Sequence, residues 1–110
     1  MQCSKVAQPI GPYTLGRIIK QPGIGTWGYS SGQIGMHPKT SQLVSPVPAK
    51  QAKRALQNLK LVAQSNGFKL SHAVKCNVYL TNMDDFAEVN AVYATFFKEN
   101  PPPRTTVAVY

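Results

Sequence analysis

Acidic residues are scarce in this chain, with four Asp and Glu set against twelve Lys and Arg in 110 residues, a formal net charge of +8. Such a balance attracts polyanions without selecting among them. The cations are spread from Lys5 to Arg104, and no run interleaves them with aromatics as a single-strand nucleic-acid platform would. Cysteine is nearly absent. Cys3 and Cys76 cannot make a disulfide scaffold, and neither belongs to a CxxC or a Cys/His cluster with metal spacing. The two histidines, His37 and His72, form no His/His or His/Lys pair at a spacing suited to ribonuclease chemistry. No apolar run is long enough for a signal or a membrane span, which points to a reducing, soluble, cytoplasmic setting. An organellar presequence removed before Met1 would leave no trace here.

The residues that are present, 43% apolar and only 15% charged, describe one compact domain over 1–110 with a sparsely charged exterior, as an obligate oligomer would show. Two prolines and a glycine in Gln8-Pro9-Ile10-Gly11-Pro12 forbid a regular helix and deliver Tyr13. A short β-branched run, Arg17–Lys20, predicts a strand before the Gln21-Pro22-Gly23 turn. A second strand is predicted over 25–34, with Ser31 and Gly32 at its exit, followed by a proline-rich loop to Pro48. Ala52, Ala55, Leu56, Leu59, Val62 and Ala63 recur at helical spacing, so a helix is predicted from Ala49 to Asn66, started by Pro48 and closed by Gly67. Its opposite side carries Lys50, Lys53, Arg54 and Lys60, read as a solvated face that could also hold RNA.

Residues 72–80 alternate Val74, Cys76, Val78 and Leu80 against Ala73, Lys75, Asn77 and Tyr79, which predicts a strand with one wholly apolar face and Cys76 as inert packing. Asn82, with Asp84 and Asp85, suits the start of a second helix whose stripe is Phe86, Val89, Tyr93 and Phe96. Asn90 projects near that stripe. Strands, helix, strand, helix and strand in this order argue for an α+β layer, two helices on one face of a mixed sheet.

The chain's end is its most informative stretch. Pro101, Pro102 and Pro103 hold the backbone extended and present Arg104 at the mouth of a β-branched strand. A guanidinium is a planar, permanently charged fork that fits a carboxylate or phosphate. Arg104 is therefore the first candidate for anion binding; its plain alternative is pairing with a surface acid.

Four stretches together, Ile10–Tyr13, Ser31–Ile34, Phe86–Phe97 and Pro103-Arg104, resemble the reactive-intermediate deaminase family, also named the YjgF or liver perchloric-acid-soluble protein family. The resemblance runs from about Val6 to Val109. It implies a chorismate-mutase-like fold, a homotrimer whose sheets form a central barrel, and small-acid sites between adjacent subunits. It also implies hydrolysis of enamines and imines such as 2-aminoacrylate to 2-keto acids and ammonia, without metal or organic cofactor. On it, Arg104 holds the substrate carboxylate, Tyr13 and Ser31 assist the chemistry, and Gly32, Asn90 and Thr106 complete the pocket. Thr106 stands where the family commonly has cysteine. Family members continue through a turn into a last strand with a glutamate thought to activate water, so the expectation here is a shortened domain. Weak RNA binding, as a translation inhibitor or endoribonuclease-like protein, and a non-catalytic trimeric scaffold are the other readings.

Overall fold

A computed structural model describes residues 1–110. The elements are β1 (Gly16–Gln21), β2 (Gly25–Ser30), α1 (Pro48–Ser65), β3 (Cys76–Leu80), α2 (Phe86–Phe96) and β4 (Arg104–Ala108). Single 3-10 turns at Leu70–His72 and Met83–Asp85 lead into β3 and α2. The α+β class is as expected from the sequence. Its mixed strand directions are divided between two sheets: β1 and β2 form an antiparallel hairpin, and β3 pairs in parallel with β4. The predicted strand over 72–80 begins later, at Cys76, because His72 ends the turn at Leu70–His72 and residues 73–75 lead out of it without strand pairing.

Helix α1 joins the two halves. Pro48 occupies its first turn, where a missing N–H is harmless, and Gly67 follows its C-cap at φ +82°, a conformation that a Cβ disfavours. One end of the helix packs Val62 against Cys3, Val6 and Leu15. Leu56 instead joins Tyr93 and Phe97, flanked by Leu59, Cys76 and Val78, so α1, α2 and the inner face of β3 share a core. Cys76 is thus packing, as the alternation of its strand predicts.

The least apolar residue of the interior is Asn58, only 1% exposed. Its amide donates to the carbonyls of Met36 (3.0 Å) and Ile34 (3.3 Å), while its Oδ1 accepts from Arg54 Nη2 (2.7 Å) and Nε (2.9 Å). Gly35 lies between the two clamped carbonyls, and a Cβ there would stand 2.6 Å from the Gln51 Cα, so only glycine lets this loop reach the helix. Asn58 therefore fixes the segment leaving Ser31 and Gly32. Asn58→Ala is expected to lower stability by roughly 2–3 kcal/mol, on the order of 10 °C in Tm, because a buried amide with four hydrogen bonds is lost and the Ile34 and Met36 carbonyls lose their donor. A melt within a degree or two of wild type would show that the clamp is dispensable.

Alternation divides each sheet into two faces. Gly28 of β2 faces Phe68 and Met1, placing Ile19, Trp27 and Tyr29 on the opposite, open side with Ile19 directly across from Trp27. In the second sheet Cys76, Val78, Arg104 and Thr106 turn toward α2, and Tyr79 and Val107, which pair in register, turn outward. Eleven of 110 residues are buried, so the chain alone leaves an unusual share of its apolar side chains uncovered. No helix is long and apolar enough to cross a membrane.

Candidate functional site

Arg104 opens β4, which Pro101–Pro103 approach without regular structure, and the Pro103 carbonyl accepts from Cys76 N–H at 3.0 Å. The lead-in is thus tied to β3 and the guanidinium is delivered toward α2. There its Nη1 donates to Asn90 Oδ1 at 2.7 Å. The guanidinium carbon lies 4.6 Å from the centre of the Tyr93 ring and 5.6 Å from that of Phe86. No acid is among these partners. A half-buried cation held by a neutral amide and two ring faces keeps its charge uncompensated, and most of its five N–H donors remain for an incoming anion.

Two polar atoms in the same region are buried without a partner: the hydroxyls of Thr106 and Tyr93. Thr106 follows Arg104 on the same strand face. Burial drives the Tyr93 phenol far above its ordinary range, with the adjacent Cys76 adding to the rise and the Arg104 charge opposing it. Tyr93 is therefore a neutral phenol at any working pH, a hydrogen-bonding group rather than a base.

The other sequence-predicted residues gather on the hairpin. Ser31 N–H donates to Leu15 O at 2.9 Å, and its hydroxyl donates to Thr14 O. Both Ser31 donors are thereby engaged, leaving its oxygen as an acceptor. Gly32 N–H has no backbone partner, and the space where a Cβ would sit is open. Tyr13, half exposed, lines a shallow cleft with Gln8, Pro9, Thr14 and Leu15. No hydrogen bond or ring contact joins Tyr13, Ser31 or Gly32 to Arg104. The structure thus brings Asn90 to Arg104 and sets Thr106 on the same face, while the remaining three lie in the segments just before β1 and just after β2, without contact to Arg104.

Sequence reasoning missed the rings beneath Arg104. Phe86, Asn90 and Tyr93 stand at i, i+4 and i+7 on α2, a single stripe. An amide inserted in that otherwise apolar stripe was the available signal.

The fold defines a small α+β protein of the chorismate-mutase-like type, with an arginine-centred cluster on its parallel strand pair. The family model described as Endoribonuclease L-PSP matches residues 4–110, and the chain belongs to that family. Among similar proteins, Protein DfrA of Myxococcus xanthus is 41% identical over 100 residues, covering 91% of this chain and 74% of its own. A 2-iminobutanoate/2-iminopropanoate deaminase of Dermatophagoides farinae is 38% identical over 104 residues, covering 94% and 81%. The crystal structure of E. coli TdcF with bound serine superposes with a TM-score of 0.86 at 31% identity, covering 98% of this chain and 83% of that one.

Proposed function

We propose that this protein hydrolyses small reactive imines and enamines, such as 2-aminoacrylate, to 2-keto acids and ammonia, with Arg104 gripping the substrate carboxylate. The observation that carries the reading is the uncompensated guanidinium of Arg104, fixed by Asn90 and two rings and paired with no acid. Relatives named as 2-iminobutanoate/2-iminopropanoate deaminases support it, and so does the serine, itself a small α-carboxylate, in the TdcF structure.

The chemistry asks little of the protein. A protonated imine is already electrophilic, so holding it by its carboxylate beside an ordered water supplies most of what is needed. Water adds to the C=N carbon, a proton moves from the added oxygen to nitrogen, and the C–N bond of the resulting carbinolamine breaks to give the keto acid and ammonium. The free Gly32 N–H is the polar group offered to that water or to the imine nitrogen, and Thr106 lines the inner side of the Arg104 grip. Tyr13 and Ser31 form the opposing wall.

Because Tyr13, Ser31 and Gly32 make no contact with Arg104 within one chain, we assign the complete pocket to a boundary between subunits of a homotrimer. The open apolar faces of both sheets, Ile19, Trp27 and Tyr29 on one and Tyr79 and Val107 on the other, are what such an assembly would cover.

RNA cleavage has less support. His37 Nδ1 accepts from the N–H groups of Lys39 and Thr40, and His72 Nδ1 accepts from Lys69 N–H, so each imidazole caps its own turn. Part of the basic face is engaged too, since Arg54 is turned onto Asn58.

The direct test generates 2-aminoacrylate in place and traps the remaining imine with semicarbazide. With protein present, less trapped product and faster ammonia release are expected; identical traces with and without protein would end this reading.

A further inference from the structure

We infer that Tyr93 is a positioning residue for the anion grip: its ring, with that of Phe86, sets the plane of the Arg104 guanidinium and so the direction in which the free N–H donors point. The inference rests on the deaminase reading for its substrate, but its geometry stands independently.

An arginine side chain has several rotatable bonds, and one hydrogen bond, here Arg104 to Asn90 at 2.7 Å, leaves the guanidinium free to swing about that contact. A second fixed contact is needed to hold its plane. Tyr93 supplies it from 4.6 Å, well within the range at which a cation is attracted to a ring face, and Phe86 adds a weaker one from 5.6 Å. Tyr93 is itself immobile: it is only 8% exposed, packs on Phe97 with ring centres 4.6 Å apart, and belongs to the core shared with Leu56. The platform is thus anchored in the interior while the cation above it is half-buried. Both faces of the arrangement come from one short helix, α2, so Asn90 and the two rings keep a constant spacing.

Plain core packing would ask only for an apolar side chain at position 93. What the ring offers beyond leucine is its negative face toward the cation.

The test uses the full chain and 2-oxobutyrate as the probe, measured by calorimetric titration, with the imine assay for KM and kcat. Tyr93→Leu is expected to weaken 2-oxobutyrate binding and raise KM roughly tenfold, with a smaller change in kcat, while Tyr93→Phe stays within about twofold of wild type, because it keeps the ring. The Phe variant should melt no lower than wild type. Equal affinity in the Leu variant overturns the inference, and so does a Phe variant as weak as the Leu one, since the hydroxyl and not the ring would then matter. If Tyr93→Leu fails to fold, Phe86→Leu carries the same comparison with a loss of roughly threefold expected, and no loss there overturns the inference. Binding to wild type is the internal control: its absence removes the deaminase reading, whereas binding to wild type with no response to ring removal removes only the role of Tyr93.

Discussion

Arg104→Ala is expected to abolish the acceleration of 2-aminoacrylate hydrolysis and to weaken 2-oxobutyrate binding by roughly a hundredfold or more. A forked, charge-assisted contact to a carboxylate is worth about 2–4 kcal/mol once partly desolvated, and every 1.4 kcal/mol is tenfold. Arg104→Lys should recover only part of this, because an ammonium presents a point charge in place of a planar fork and cannot stack in the same way on Tyr93. The fold should survive both changes. Arg104 is half-buried and makes one side-chain hydrogen bond, to Asn90, so its removal leaves no buried charge behind. A well-folded Arg104→Ala protein that still clears the imine at the wild-type rate would remove the proposed grip.

The second large effect concerns assembly. Trp27→Glu places a carboxylate in the middle of the open face of the hairpin, directly opposite Ile19. In a trimer closed around these faces, three such charges would be brought out of water near one another without partners, at a cost of several kcal/mol per contact. Light scattering should report a wild-type mass near three times the 12.0 kDa of one chain, and a Trp27→Glu mass near one. Imine clearance should fall with it, even though Arg104 lies on the other sheet and Asn90 and Tyr93 on α2, all untouched by the change. Mixing Arg104→Ala and Tyr13→Ala subunits should restore part of the activity, since some boundaries then join an intact arginine to an intact tyrosine. A wild-type protein that is monomeric and fully active would overturn the shared-site reading.

Much of this was legible in the sequence because it is locally determined. Pro48 and Gly67 bracket α1 through backbone chemistry that needs no partner, and Asn82 caps the turn before α2 by accepting from Asp84 N–H two residues away. The approach of three prolines to a β-branched run marked Arg104 as the first residue of its strand. What escaped the sequence depends on distant partners. Asn58 reads as an ordinary polar residue on a helix until the carbonyls of Ile34 and Met36, 24 and 22 positions earlier, are brought to it. The division of the strands into a hairpin and a parallel pair is likewise a matter of which edges meet, which alternation alone does not specify. At the candidate site, proximity of Asn90 to the apolar stripe was visible, but the stacking of Arg104 on Tyr93 required the register between Cys76 and Arg104 to be known. Ser31 shows the reverse case: its place at the strand exit was foreseen, while the engagement of both its donors by Thr14 and Leu15 was not.

The parallel pairing of β3 with β4 has a consequence for how such a protein can change. Everything that touches the guanidinium lies in one continuous third of the chain, between Cys76 and Thr106, whereas Tyr13, Ser31 and Gly32 belong to the first third. On the proposed deaminase reading, retention of the acid group and accommodation of whatever is attached to it would be encoded in separable segments. Under that reading, substitutions near the hairpin would widen or narrow the range of accepted acids without loosening the hold on their shared carboxylate.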